Sequence, residues 1–127
     1  MGATKITCLF AYGTLQPGRL RWPLLEPFVA RHRAAHARGR IYDSGAGWPV
    51  TVFEDAADPV PGTIMELDRQ RLDELLVMLD DVETTATGLL TRIVVTTTAG
   101  ETAWAYHWSG STSGMTPIAR WVAAVER

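Results

Sequence analysis

The sequence predicts an α+β fold: a mostly antiparallel sheet or small barrel with helices packed outside it. Three observations carry that prediction. Most of the chain falls into short β-rich segments bounded by Gly, Pro and Asp, a single clear helical stripe lies among them at Leu72, Leu75, Leu76 and Leu79, and no repeat or linker divides the chain. At 127 residues the length is that of one domain, so residues 1–127 are expected to fold as a single unit.

Ile6 to Tyr12 is an apolar run of β-formers that Gly13 stops, the pattern of a buried first strand. Gly13 to Gly18 mixes glycine, proline and polar residues and reads as a loop delivered by the end of that strand. Trp22 to Phe28 has room only for a short helical turn, because Pro23 and Pro27 limit it. From Arg31 to Tyr42 charges alternate with small or apolar residues, as on a strand with one wet face, and a turn signal follows at Asp43. Ser44 to Pro49 is a glycine-rich loop carrying Trp48, and strands at Val50 to Phe53 and Val60 to Leu67 flank the acidic turn Glu54 to Pro59. Asp68 is placed to cap the helix whose leucines, at i, i+3, i+4 and i+7, face the sheet and leave Asp73 and Glu74 in solvent. That periodicity is expected to fail at Asp80-Asp81-Val82-Glu83. Arg92 to Thr98, the turn Ala99-Gly100 and Glu101 to Trp108 form a hairpin. Pro117 is expected to open a short C-terminal helix through Val125, with Ile118, Trp121, Val122 and Val125 as its apolar face.

Composition excludes several classes of function. The hydrophobic fraction of 46% against 20% charged residues supports a packed core and argues against disorder. No apolar run approaches the roughly 20 residues of a membrane span. Met1 to Lys5 has neither the features of a secretion signal nor those of a myristoylation signal, so a cytoplasmic location without membrane partners is expected. The lone Cys8 cannot form an internal disulfide or a cysteine zinc site, and its apolar strand makes it a core residue. His32 and His36 are four apart but lack the glutamate of a metalloprotease helix, so no metal site is expected. A net charge of −2 gives no general pull toward nucleic acid. Arg31, Arg33, Arg38 and Arg40 cluster without aromatic residues to stack on bases, which fits a solvated strand face rather than a nucleic-acid partner.

Two segments could carry chemistry. A glycine just after a buried strand lets neighbouring backbone N–H groups point outward together and bind a carboxylate or oxyanion, the layout of Tyr12-Gly13-Thr14-Leu15. Taken alone, the same residues describe an ordinary turn. Asp80, Asp81 and Glu83 place negative charge where a helix C-terminus disfavours it. Either these acids lie past the helix in solvent, or Glu83 enters a pocket whose desolvation raises its pKa and makes it a usable general base. Trp48, in Gly47-Trp48-Pro49, is placed to wall such a pocket.

Leu9 to Leu15, Gly39-Arg40-Ile41-Tyr42-Asp43, Pro61 to Leu67, Leu79 to Glu83 and Ala103-Trp104-Ala105-Tyr106 together resemble the γ-glutamylcyclotransferase-like (AIG2-like) family, in the family's order and across most of the chain. The resemblance implies a small barrel flanked by helices, in which the Tyr12, Gly13, Thr14 and Leu15 loop faces one glutamate, matched here by Glu83. It implies a cofactor-independent enzyme that releases 5-oxoproline from a γ-glutamyl amine or amide. Glu83 would act as general acid and base, and the loop's N–H groups would hold a small-molecule substrate. Tyr106 matches the tyrosine of the family's last strand and either lines the cavity or packs on the core. Two positions depart from the pattern: Thr84 stands where the family often has glycine, and Leu90 where a tyrosine often precedes the arginine matched by Arg92. The alternative is a non-catalytic small-molecule binding domain on the same fold. No motif specifies the amine portion of the substrate or the oligomeric state.

Overall fold

A computed structural model describes residues 5–84 and 88–121. Strand β1 (Cys8–Ala11) is followed by a short helix α1 (Trp22–Leu25) that tightens into a 3₁₀ turn at Glu26–Phe28. Then come β2 (Val29–Asp43), β3 (Pro49–Phe53) and β4 (Pro59–Leu67). A 3₁₀ turn at Arg69–Arg71 leads into α2 (Leu72–Thr84), and β5 (Leu90–Thr96), β6 (Thr102–Trp108) and β7 (Thr116–Ile118) complete the order. The strands lie in the sequence β3-β2-β4-β1-β6-β5, with β7 also on β2, and curl into a nearly closed barrel. All pairings are antiparallel except β1 with β6, which run parallel.

β1 reads as a continuous apolar run because both its faces are covered. Leu9 and Ala11 belong to a cluster with the α2 leucines, whereas Phe10 and Tyr12 join Ile64, Ala103 and Trp121 on the opposite face. Phe10 and Tyr12 both meet Phe53 of β3 edge to face, with ring centroids 6.2 and 5.8 Å apart. Two strands separate β1 from β3 in the sheet, so these contacts cross the inside of the curl. The fifteen residues of β2 supply the curvature: Val29–Arg38 pair with β4, and Gly39–Asp43 pair with β3. At Gly39, between these two pairings, a Cβ would stand 2.8 Å from the Val52 carbonyl.

The leucine stripe is buried as expected. Leu72, Leu75, Leu76 and Leu79 are each at most 8% exposed, worth about 1.5–3 kcal/mol apiece relative to exposure, while Asp73 and Glu74 stand in solvent. Asp68 does accept the Gln70 N–H, but it caps the 3₁₀ turn that precedes α2. The basic residues of β2 form a wet face laced by cross-strand ion pairs: Arg31 and Arg33 with Glu66, Arg33 also with Glu101, and Arg40 with Glu54.

Three expectations are corrected. α2 does not end before Asp80 but runs through Thr84, so the acids stand on its last turns. Thr116–Ile118 forms a strand on Ile41–Asp43 of β2 instead of opening a helix, and a Pro–Ile pair suits either element by its spacing. Val122 and Val125, the rest of that expected helical face, lie outside the described residues. Cys8 is only half-buried, because it starts the strand ahead of its fully covered part. Among the described residues no helix is long and apolar enough to cross a membrane.

Candidate active site

The end of β1 and the last turn of α2 meet at one pocket. Tyr12, Gly13, Thr14, Leu15, Glu83 and Tyr106, the six residues singled out in the sequence, all line it. Trp48 and Pro49 form part of its wall from the loop ahead of β3.

The loop is shaped by close packing. A Cβ at Gly13 would fall 2.6 Å from Cγ of Pro49, so only glycine lets the chain pass. Among the described residues, no backbone carbonyl takes the N–H groups of Gly13, Thr14 or Leu15. The carbonyls face the other way: Gly13 O accepts the Gln16 N–H and Thr14 O accepts the Arg21 N–H, at 3.1 and 2.8 Å. Gln16 Oε1 in turn accepts the Thr63 hydroxyl of β4, tying the loop to the sheet. Such an arrangement leaves donors available for an anion.

Glu83 continues the α2 stripe. It stands four residues after Leu79 and seven after Leu76, a position that an amphipathic helix gives to an apolar side chain. This explains its burial: the side chain is 12% exposed. Burial pushes the carboxyl pKa above its ordinary value, and the Arg21 guanidinium, 3.8 Å from Oε2, draws it partly back. The sequence offered that signal, an acid in register with the leucines, although reading the helix as ending at Asp80 conceals it. Asp81 is exposed and Asp80 points elsewhere.

Asp80 is the centre of a second arrangement. Arg92 of β5 grips both its oxygens, Nε to Oδ1 at 2.8 Å and Nη2 to Oδ2 at 3.1 Å, and the Tyr106 hydroxyl donates to Oδ1 at 2.8 Å. Burial alone would raise the Asp80 pKa, but the hydrogen bonds from Arg92 and Tyr106 outweigh it and hold the carboxyl below its ordinary value. The Arg92 guanidinium also lies over the Trp104 ring, 4.3 Å from its centroid. These contacts fix α2 against the β5–β6 hairpin one turn before Glu83.

The tyrosine hydroxyls are both spent within the protein. Tyr12 Oη donates to the Tyr106 carbonyl at 2.7 Å, and Tyr106 Oη is held by Asp80. Both phenols are pushed upward in pKa, by burial first and then by nearby groups that include the negative charge of Glu83. Tyr106 therefore both packs in the core and lines the cavity. Leu90 lines the pocket with an apolar side chain.

Sequence reasoning missed Arg21. It reaches the pocket because its N–H bonds the Thr14 carbonyl across the loop, a contact that spacing alone does not encode. Among the described residues no group of three or more His, Cys, Asp or Glu side chains comes together as a metal site.

The fold recurs in solved structures of low sequence identity. An uncharacterized protein from Pyrococcus horikoshii aligns with a TM-score of 0.62 at 16% identity, over 94% of this chain and 88% of that one. YkqA from Bacillus subtilis aligns with a TM-score of 0.67 at 22% identity, over 91% of this chain, which spans only 39% of YkqA. An AIG2-like protein from Mus musculus aligns with a TM-score of 0.53 at 16% identity, over 87% and 81% of the two chains. No curated protein matches the chain in sequence. The family described as gamma-glutamyl cyclotransferase, AIG2-like, matches residues 9–123. By fold and by sequence pattern over that span, the chain belongs to the γ-glutamyl cyclotransferase, AIG2-like family.

Proposed function

We propose that this chain is a cofactor-independent cyclotransferase that releases 5-oxoproline from a small-molecule γ-glutamyl amine or amide. The observation that carries this reading is the meeting, at one pocket, of a buried carboxylate from α2 with a loop after β1 whose N–H groups meet no backbone carbonyl among the described residues.

The chemistry divides between the two parts. The substrate's α-ammonium gives a proton to Glu83 and becomes a neutral amine. Its nitrogen attacks the γ-carbonyl carbon, closing a five-membered ring, while the N–H groups of Gly13, Thr14 and Leu15 stabilise the developing oxyanion. Collapse breaks the bond between the γ-carbon and the departing nitrogen as Glu83 returns its proton to that nitrogen, and the regenerated carboxylate then takes the second proton from the ring nitrogen and passes it to the departing amine, which leaves protonated. The products are 5-oxoproline and a free amine, and water takes no part. Nucleophile and electrophile belong to one molecule, so holding it folded supplies much of the rate. The raised pKa of Glu83 serves both halves of the cycle, since a carboxyl nearer neutrality accepts and returns a proton more readily than a solvated one.

The test is to incubate the protein with a panel of γ-glutamyl compounds and measure 5-oxoproline by mass spectrometry. Wild type is expected to form it, and Glu83→Gln to lose about 10²–10⁴-fold in kcat, the usual contribution of general acid–base catalysis. The acid limb of kcat/KM is expected to lie above the ordinary glutamate range, because Glu83 must be ionised to accept the proton. Equal rates in wild type and variant would remove Glu83 from the reaction.

A further inference from the structure

Arg21 transfers no proton in the proposed reaction, yet its side chain lines the pocket as the cation among the described lining residues. It also differs from the other paired arginines. Arg31, Arg40, Arg71 and Arg92 all close on a carboxylate at 3.2 Å or less. Arg21 stops 3.8 Å from Glu83, beyond hydrogen-bonding distance, and among the described residues its guanidinium makes no hydrogen bond. A planar fork of donors suited to a carboxylate is thus held beside the buried acid, with its side chain 32% exposed.

Its position is fixed from behind. The Arg21 N–H bonds the Thr14 carbonyl at 2.8 Å, and its own carbonyl accepts the Leu24 N–H at 3.1 Å. The main chain that carries the guanidinium is therefore keyed to the same loop whose donors face the pocket.

The chemistry of the substrate head supplies the missing partner. In an α-amino acid the amine nitrogen and the nearer carboxylate oxygen lie about 3 Å apart, by ordinary covalent geometry. An amine seated on Glu83 brings its own carboxylate to the place where Arg21 stands. Without that cation, two carboxylates would face each other in a largely dry site, which is strongly unfavourable.

We infer that Arg21 anchors the free α-carboxylate of the ligand, which restricts the pocket to γ-linked glutamyl compounds with an unblocked α-carboxyl group. This rests on the proposed function, in that it takes the ligand's nitrogen to sit on Glu83. Amides and esters of the α-carboxyl group, and decarboxylated analogues, are excluded because they leave the guanidinium unmatched.

Binding separates this inference from the reaction. Calorimetry would compare 5-oxoproline with 2-pyrrolidinone, the same lactam without the carboxylate, on wild type, Arg21→Gln and Arg21→Lys. Wild type is expected to prefer 5-oxoproline by about tenfold to a hundredfold, the worth of a charge-assisted bidentate pair. Arg21→Gln is expected to lose the preference, with 5-oxoproline weakened more than 2-pyrrolidinone. Arg21→Lys should keep only part of it, since an ammonium lacks the fork. A preference left intact in Arg21→Gln overturns the anchor, as does a wild type that prefers neither compound. If Arg21→Gln does not fold, Arg21→Lys decides: a reduced preference supports the anchor and an unchanged one overturns it. Turnover with an Arg21-independent preference would leave the reaction standing without the anchor. An Arg21-dependent preference without turnover would leave the anchor without the reaction.

Discussion

At Gly13 a single hydrogen atom decides whether the loop can pass Pro49. Adding a methyl group places a Cβ 2.6 Å from Pro49 Cγ and 2.9 Å from Cδ, and a proline ring cannot swing aside as a flexible chain end would. Gly13→Ala is expected to cost about 1–3 kcal/mol, in the range of overpacking, with substrate affinity falling as the loop shifts. Adding Pro49→Ala should restore part of that loss. The measurement is a double-mutant cycle of denaturation midpoints, and strict additivity of the two changes would show that the contact is not the cause. Only half of this was legible in the sequence. A glycine after a buried strand announces a turn by itself, whereas the need for it here comes from a proline thirty-six positions away that only the folded chain brings near. Glu83 was legible through the family's pattern, and its position on the leucine stripe gives the physical reason for its burial. Arg21 was not legible, because what makes it part of the site is a main-chain bond across the loop.

At the scale of elements, the placing of Glu83 depends on how α2 is held at its C-terminal end. That end carries no basic residue of its own to offset the helix dipole, so the balancing charge comes from outside, from Arg92 on β5 and Arg21 beside the loop. Arg92→Met should therefore act at a distance. It leaves Asp80 without its bidentate partner, frees the last turns of α2 to shift, and is expected to lower kcat about tenfold or more, since small misplacements of a reacting group are costly. Arg92→Lys should recover stability better than rate, because it restores the charge without the two-point grip. Parallel measurement of Tm and kcat tests this, and a rate unchanged in Arg92→Met would show that the grip does not position Glu83. The sequence revealed the body of α2 but not its end. Three acids in four residues look like the exit of a helix, and it takes the pairing of Asp80 with a strand that comes later in the chain to make them helical.

For the molecule as a whole, the β5–β6 hairpin and the succession of β1 to β6 along the chain followed from local patterns, whereas the order of strands in the sheet and the parallel pairing of β1 with β6 did not. Local alternation specifies a strand but not its distant neighbour. The tail shows the same limit: Ile118 and Trp121 share a helical face by spacing, yet Ile118 joins β7 and Trp121 fills the cluster that holds Phe10 and Tyr12. Trp121 is 2% exposed, so Trp121→Ala is expected to cost about 3–5 kcal/mol, much of the stability of a domain this size. A urea midpoint that barely moves would show that the tail is not part of the barrel's core. The bond from the Tyr12 hydroxyl to the Tyr106 carbonyl joins residues 94 positions apart, and it carries one more implication. A ribosome adding about 5–20 residues per second delivers Tyr106 on the order of 5–20 s after Tyr12. Throughout that interval the glycine loop hangs from a strand that lacks its parallel neighbour. The pocket can therefore assemble only when translation of this domain is nearly complete, and a nascent chain stalled before β6 presents an apolar first strand to chaperones.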